Sequence, residues 1–249
     1  MTMALDLARA LDPVLLARDA GIQPDPWQAE LLRSTAPRIL ELAARQVGKT
    51  TTTGLIALNT AIYLPGSLSL IISPAERQSK EMLRTVNDIH GRLKGVPKLR
   101  SDNVMKMEFE HGSRIIALPG TEKTIRGYAG VSLAVIDEAA RVDDELIAAV
   151  RPMLATTQGR LIALTTPKGK RGWFYESWID TEGPWQRFEI TPDMCPRITK
   201  EFLAEELRAM GPAKYSEEYG LEFRDDDEAV FPVGIIQAAF TTEVSPLWA

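Results

Sequence analysis

Cysteine and histidine are scarce in this 249-residue sequence, which contains one cysteine, Cys195, and two histidines, His90 and His111. A single cysteine excludes a disulfide framework within the chain, and two separated histidines leave no cluster with zinc-ligand spacing. No apolar run approaches the ~18 residues that suggest a membrane-spanning helix, and charged residues interrupt the N-terminal segment 1–20. We therefore expect a soluble cytosolic protein that is not exported.

An excess of basic residues is also missing. The sequence has 29 Lys and Arg residues against 34 Asp and Glu residues, and its net charge is -5 at pH 7. A protein that coats nucleic acid needs a dense basic surface, because its binding to phosphates is electrostatic. Any contact with DNA is therefore expected to be local. Hydrophobic residues make up 45% of the chain, which suffices for the core of one large or two small domains.

Strand-like and helix-like segments alternate through the middle of the sequence. Strands are predicted at 39–43, 69–72, 132–136 and 160–164, helices at 49–63, 75–93 and 143–154, and a hairpin at 105–118. The nearly continuous apolar run at 131–136 is typical of a parallel strand that is covered on both faces. The order predicts an α/β fold with a mostly parallel sheet flanked by helices.

Helices are predicted at both ends of this core. Apolar positions from Leu5 to Leu16 predict one amphipathic leader helix, and the pattern after Thr191 predicts two helices, at 199–210 and 212–220. We divide the chain into a leader helix (1–24), an α/β core (25–192) and a small helical C-terminal subdomain (193–249).

A phosphate-binding loop is predicted where the first strand meets the first core helix. The segment Ala-Ala-Arg-Gln-Val-Gly-Lys-Thr has Walker A spacing, except that Ala43 replaces the usual first glycine. Gly48 would let the backbone approach phosphates, Lys49 offers an ammonium, and Thr50 offers a hydroxyl to Mg²⁺. The alternative is a plain glycine turn that caps a helix. The predicted nucleotide-binding residues here are Ala43, Ala44, Arg45, Gln46, Val47, Gly48, Lys49, Thr50 and Thr51.

An acidic pair, Asp137-Glu138, follows the apolar strand at 132–136. The carboxyl ends of parallel strands are where open α/β sheets bind ligands. Asp137 is predicted to hold Mg²⁺, directly or through water, and Glu138 to orient and deprotonate an attacking water. The alternative is that the pair only begins a solvated loop.

These motifs, taken with others, resemble the N-terminal ATPase domain of the large terminase, the DNA-packaging motor of tailed bacteriophages. The resemblance covers about residues 25–232. The segments that carry it are Pro26-Trp27-Gln28, Arg45 within the loop, Ser73-Pro74 with Gln78, Arg126-Gly127, Asp137-Glu138, Thr165-Thr166-Pro167, Phe174-Tyr175-Glu176 and Glu218-Tyr219 to Phe223.

The resemblance implies further roles for individual residues. Gln28 would read adenine, Arg45 would reach the γ-phosphate in cis, and Arg126 would act in trans on a neighbouring subunit. Thr165 and Thr166 would sense the γ-phosphate and couple it to DNA movement. Alternatively, Arg45 makes a salt bridge, Arg126 anchors its own loop, and the two threonines simply end a strand before a proline. The implied catalytic set is Glu138, Lys49, Arg45 and Arg126.

The resemblance also implies the protein's activity and surroundings. It implies a P-loop NTPase of the additional-strand, catalytic-glutamate type, with ATP and Mg²⁺ as cofactors. The expected function is ATP hydrolysis that drives double-stranded DNA into a capsid, in the host bacterial cytoplasm and without membrane contact. Expected partners are DNA, further copies of the chain in a ring, the viral portal protein and the small terminase subunit. Family members usually continue into a ribonuclease H type nuclease domain, which this sequence does not contain, so no nuclease activity is expected.

Two basic clusters are candidates for DNA contact. Lys168, Lys170 and Arg171 form a glycine-flexed stretch, and 77–84 places Arg77, Lys80 and Arg84 on one helix face. Solvated surface charge is the alternative for both. For the whole chain, the alternatives are a fragment of a superfamily-two type helicase, which would need a second motor domain, and a nucleotide-gated scaffold without turnover.

Overall fold

The computed structural model describes residues 3–120, 125 and 127–224, and its centre is an eight-stranded sheet. Its strands are β1 (Arg38–Ala43), β2 (Leu68–Ser73), β3 (Leu99–Asn103), β4 (Lys106–Phe109), β5 (Arg114–Pro119), β6 (Leu133–Asp137), β7 (Arg160–Thr165) and β8 (Gln186–Ile190). They lie in the order β3-β4-β5-β2-β6-β7-β1-β8. Every pair from β5 to β8 is parallel, while β4 pairs antiparallel with both β3 and β5. The predicted mostly parallel sheet and the hairpin are confirmed.

Strand β7 lies between β1, which leads into the predicted phosphate loop, and β6, which leads into the acidic pair. This is the additional strand that the resemblance implies. Strands β3 and β8 are not predicted from the sequence. They lie at the two edges of the sheet. Their residues are largely exposed or half-buried, so neither carries the apolar run of a central strand.

Eight helices accompany the sheet within the described residues. They are α1 (Met3–Leu11), α2 (Pro13–Asp19), α3 (Pro26–Arg33), α4 (Lys49–Tyr63), α5 (Glu76–Arg92), α6 (Asp144–Met153), α7 (Gly172–Ile179) and α8 (Lys200–Glu218). Short 3₁₀ turns occupy Ala139–Arg141 and Pro192–Met194. Helices α4 and α5 pack against each other and against β2 and β5. Their buried faces join the strands in one apolar core.

The prediction of a single leader helix is wrong, because the segment folds as α1 and α2. Asp12 separates them: its carboxylate accepts a hydrogen bond from the Val14 N–H at 3.1 Å and caps α2, while Pro13 takes the first helical position. Val14 and Leu16 of α2 are buried in the same core as the sheet, whereas Met3 and Leu11 of α1 are exposed.

Helix α8 is interrupted where the sequence predicts the boundary between two helices. Gly211 has a φ of 78° and a ψ of 162°, outside the helical region, and Pro212 follows it. Such a conformation is essentially reserved for glycine. The predicted break is confirmed. No helix within the described ranges is long and apolar enough to cross a membrane.

Candidate nucleotide site

A cavity of about 580 Å³ lies at the carboxyl ends of the parallel strands. This is the edge at which open α/β sheets bind ligands. It brings together residues from the phosphate loop, the acidic pair and the end of β7. The lining residues are Arg45, Gln46, Gly48, Lys49, Thr50, Gln78, Asp137, Glu138, Arg141, Thr166 and Glu218.

The first residues of the phosphate loop, at the end of β1, are buried and hydrogen-bonded to the end of β8. The side chain of Ala43 is fully buried, and the Ala44 N–H donates to the Ile190 carbonyl at 2.9 Å, which prolongs the pairing of β1 with β8. A glycine is therefore not needed at position 43. The turn itself uses left-handed backbone, with a φ of 62° at Gln46 and of 105° at Gly48.

Lys49 is buried and folds back over its own loop. Its Nζ donates to the carbonyls of Ala43 at 3.3 Å and Ala44 at 3.0 Å. Burial lowers the pKa of this ammonium, while the carboxylates of Glu138 and Glu41 act in the opposite direction. The ammonium thus lies in the cavity with weak neutral partners, which a phosphate can replace.

The acidic pair opens into the same cavity. Burial, followed by the neighbouring charge of Glu138, raises the pKa of Asp137 to about 6. A cation beside this carboxyl would stabilise its ionised form, and the hydroxyl-bearing Thr50 also lines the cavity. This donor set suits Mg²⁺, which prefers oxygen ligands and is usually held by one or two carboxylates together with substrate phosphates.

Glu138 has a strained backbone. Its φ of 52° and ψ of 43° are left-handed, which is uncommon for a residue other than glycine, and its N–H donates to Asp137 Oδ1 at 3.0 Å. Strain of this kind costs on the order of 1–3 kcal/mol and clusters at functional sites.

Arg141 is a site residue that the sequence analysis missed. Its Nη1 lies 2.5 Å from Glu138 Oε2 and donates to Thr166 Oγ1 at 3.1 Å. It therefore joins the acidic pair to the end of β7. Its position, one 3₁₀ turn after Glu138, is the signal that could have identified it.

Glu218, at the end of α8, is a second missed residue. Its backbone carbonyl accepts a hydrogen bond from the Arg45 N–H at 2.9 Å. Its carboxylate lies 3.9 Å from Arg45 Nη1 and 3.9 Å from Arg141 Nη2. The stretch from Glu218 to Phe223 resembles the family, but that pattern does not indicate that the chain returns to the phosphate loop at this point. Gln78 also lines the cavity, and its side chain caps α5 by accepting from the Ala75 N–H at 3.2 Å.

Several predicted nucleotide-binding and coupling residues do not line the cavity. The Gln28 amide is buried behind Gly48, donates to Thr52 Oγ1 at 3.0 Å, and accepts from the Asp25 N–H at 2.9 Å. Thr165 is buried and donates to the Thr166 carbonyl at 2.7 Å. Also absent from the lining are Ala43, Ala44, Val47 and Thr51, while Arg126 lies outside the described residues.

The basic stretch after β7 lies on a neighbouring surface. Lys168 and Arg171 line a separate cavity of about 480 Å³ together with the acidic residues 143–145, and Lys170 is half-buried. On α5, Arg77 and Arg84 are exposed, and Lys80 forms an ion pair with Glu76. Both clusters remain predicted DNA contacts.

Comparison with known proteins agrees with this geometry. The family model described as "Terminase large subunit, T4likevirus-type, N-terminal" matches residues 40–238. The large terminase subunits of Thermus phage G20c and Thermus virus P23-45 are each 24% identical to this chain, over 85% of it and 51% of their own length. The chain therefore spans about half the length of these curated relatives.

Solved structures share the fold at low sequence identity. The large terminase ATPase domain of Thermus phage P74-26 superposes with a TM-score of 0.70 at 21% identity, covering 84% of this chain and 97% of that domain. The large terminase of bacteriophage D6E in complex with ADP has a TM-score of 0.66 at 12% identity, covering 80% of this chain and 54% of that one. With a family model that matches most of its sequence, the chain belongs to the large terminase subunit family and corresponds to its N-terminal part.

Proposed function

We propose that this chain is the ATPase motor domain of a phage large terminase, and that its ATP hydrolysis drives double-stranded DNA into a capsid. The observation that carries the proposal is the convergence of the phosphate loop and the Asp137-Glu138 pair on one cavity. A related large terminase, that of bacteriophage D6E, has been solved in complex with ADP, which supports a nucleotide as the ligand.

Nucleotide binding would use groups that are already positioned. Backbone N–H groups at the N-terminus of α4 attract the phosphates, and Lys49 would exchange its two carbonyl partners for phosphate oxygens. Thr50 and Asp137 would hold Mg²⁺, which neutralises charge on the phosphates when bound. Gln28, engaged by Asp25 and Thr52, would have to exchange these partners to contact adenine.

Hydrolysis would rest on Glu138 as the general base for water. Its contact with Arg141 holds the carboxylate at one side of the cavity, so that the carboxylate is positioned before the substrate arrives. Arg45 is exposed beside the loop and would reach the γ-phosphate in cis. Arg126, from a neighbouring subunit, would complete the site.

Coupling to DNA would begin at the end of β7. Thr166 lines the nucleotide cavity and accepts a hydrogen bond from Arg141, and the basic stretch of Lys168, Lys170 and Arg171 follows directly. A change at the γ-phosphate thus has a short covalent route to side chains suited to a DNA backbone. The portal protein, the small terminase subunit and further copies of the chain are the proposed assembly partners.

The proposal is tested by measuring ATP turnover and ATP binding with and without double-stranded DNA. Glu138→Gln should keep nucleotide affinity and lose at least ~100-fold in turnover, because shape is retained while basicity is lost. Lys49→Ala should instead weaken binding, because the ammonium contacts ground-state phosphates.

Turnover at the parent rate in Glu138→Gln would remove Glu138 from the mechanism. A chain that binds ATP without any turnover, with or without DNA, would point to the nucleotide-gated scaffold. Strand separation coupled to turnover would point to the helicase.

A further inference from the structure

The nucleotide cavity contains one carboxylate more than the proposed chemistry requires. Its cationic side chains are Arg45, Lys49 and Arg141, and its carboxylates are Asp137, Glu138 and Glu218. Asp137 is assigned to Mg²⁺ and Glu138 to the attacking water, so Glu218 has no role in these steps. A third carboxylate in a site for a polyphosphate repels the ligand.

Glu218 connects α8 to the phosphate loop in two ways. Its backbone carbonyl accepts from the Arg45 N–H at 2.9 Å, and its carboxylate lies within ion-pair distance, 3.9 Å, of both arginines of the cavity. The Glu218 side chain is only 13% exposed and that of Arg141 is 29% exposed, so solvent screens this pair less than it would on an open surface. The side chain of Arg45 is 51% exposed, so its pair with Glu218 is screened more. The end of α8 is therefore attached at the point where phosphates would enter.

We infer that Glu218 is a positioning residue that competes with nucleotide phosphates for Arg45 and Arg141, and that this competition links nucleotide binding to release of the end of α8. The inference rests on the proposed function, since it requires a polyphosphate ligand. The phosphates take over Arg45 Nη1 and Arg141 Nη2, the atoms nearest Glu218, while Arg141 Nη1 stays with Glu138. The Glu218 carboxylate, now facing added negative charge, loses its partners. The Arg45 N–H bond is then the remaining attachment of α8 to the loop.

The inference makes a prediction of unusual sign. Most substitutions in a binding site weaken binding, but Glu218→Gln should tighten it, because the amide keeps the shape and removes the competing charge. With Mg²⁺ present, we expect affinity for ATP-γ-S to rise roughly threefold to tenfold, as for the loss of one partly screened charge pair. The gain should be smaller for ADP, which lacks the outermost phosphate.

The experiment is calorimetric titration of the parent, Glu218→Gln and Glu217→Gln with ATP-γ-S and with ADP. Glu217 precedes Glu218 on the same helix, is half-buried, and does not line the cavity, so it controls for the change of net charge. The fold of each variant is checked by circular dichroism. The neighbouring Tyr219 packs against Tyr215 and Phe202 of α8 itself, so these ring contacts should keep the helix folded when its end is released.

Hydrogen exchange supplies a second readout. In the parent, amides at the end of α8 should exchange faster with ATP-γ-S bound, whereas in Glu218→Gln they should already exchange fast without nucleotide. Tighter binding confined to Glu218→Gln supports the inference. Unchanged or weaker binding in a folded Glu218→Gln overturns it while leaving the proposed function intact. A folded parent that binds no nucleotide overturns both.

Discussion

Glu41 is a buried acidic residue whose protonation state affects the stability of the fold. It lies in the middle of β1, is fully buried, and neither carboxyl oxygen has a hydrogen-bond partner among the described residues. Burial raises its pKa to about 8, although the nearby Lys49 acts in the opposite direction. In register along the sheet, Glu41 pairs with Leu164, which pairs with Asp137, so the two acidic side chains project from the same face.

This shifted pKa predicts a pH dependence of stability. Between its ordinary value of 4.5 and about 8, Glu41 is protonated in the folded state and ionised in the unfolded state. The stability that its proton provides is therefore complete below the lower value and is lost as the pH rises towards the upper one. Asp137 acts with the same sign, but only up to about pH 6.

Glu41→Gln isolates this contribution. In metal-free buffer, the free energy of unfolding of the parent should fall as the pH is raised from 6 to 8, and the variant should show a flatter profile over that interval. Chemical denaturation at several pH values measures both slopes. Equal slopes would mean that Glu41 keeps its ordinary pKa in the folded protein.

At the scale of elements, α7 begins without a capping side chain of its own. Arg171 occupies the N-cap position and cannot accept a hydrogen bond, so Asp144 of α6 accepts from the Trp173 N–H at 2.8 Å instead. This bond joins the helix after the acidic pair to the helix after the basic stretch, and so it fixes the C-terminal end of the loop between Thr166 and Arg171. The hydrogen bond from Arg141 to Thr166 holds the other end.

Removing this cap should loosen that loop. Asp144→Ala is expected to lower the free energy of unfolding by about 1 kcal/mol, a typical cost for a lost N-cap. It should also weaken DNA stimulation of ATP turnover more than it weakens basal turnover. The control is Asp143→Ala, since Asp143 is exposed and makes no capping bond. Equal effects of the two substitutions would refute the capping role.

The elements of the core were the predictable part of this protein. Strands such as β6 consist mainly of consecutive apolar residues because both faces are covered, so they can be predicted from the sequence. Two motif residues beside such strands, Lys49 and Glu138, line one cavity. Arg141 could have been identified from its spacing of three residues after Glu138. The contacts of Glu218 with Arg45 and Arg141 depend on tertiary folding, so the sequence does not indicate them. Gln28 was recognised by its motif, but the motif did not reveal that its amide is engaged by Asp25 and Thr52.

At the scale of the whole molecule, the proposed role of Arg126 in trans predicts that ATP turnover depends on contact between subunits. If a neighbouring subunit supplies this arginine, turnover per subunit should rise with protein concentration, and Arg126→Ala should bind ATP but turn over poorly, by a factor on the order of 10³. Mixing Arg126→Ala with Glu138→Gln should restore part of the activity, because one subunit's intact Glu138 can use the other's intact arginine.

Steady-state ATPase assays across mixing ratios measure this rescue. The control mixture of Lys49→Ala with Glu138→Gln should show none, because neither subunit then has a complete phosphate loop and base. Concentration-independent turnover in the parent, with no rescue at any ratio, would leave Arg126 a residue that anchors its own loop.

The pairing of β1 has a consequence for the order of synthesis. The phosphate loop is synthesised well before the residues that anchor its backbone: Ile190 accepts from the Ala44 N–H, and Glu218 accepts from the Arg45 N–H. Contacts between such distant positions form slowly, since a long segment must be ordered first. A nascent chain would thus carry its Walker A residues on an incompletely paired β1 until Ile190 and the rest of β8 had left the ribosome. Cellular ATP, which stabilises only a state able to bind it, would begin to protect the domain from proteolysis at that late point.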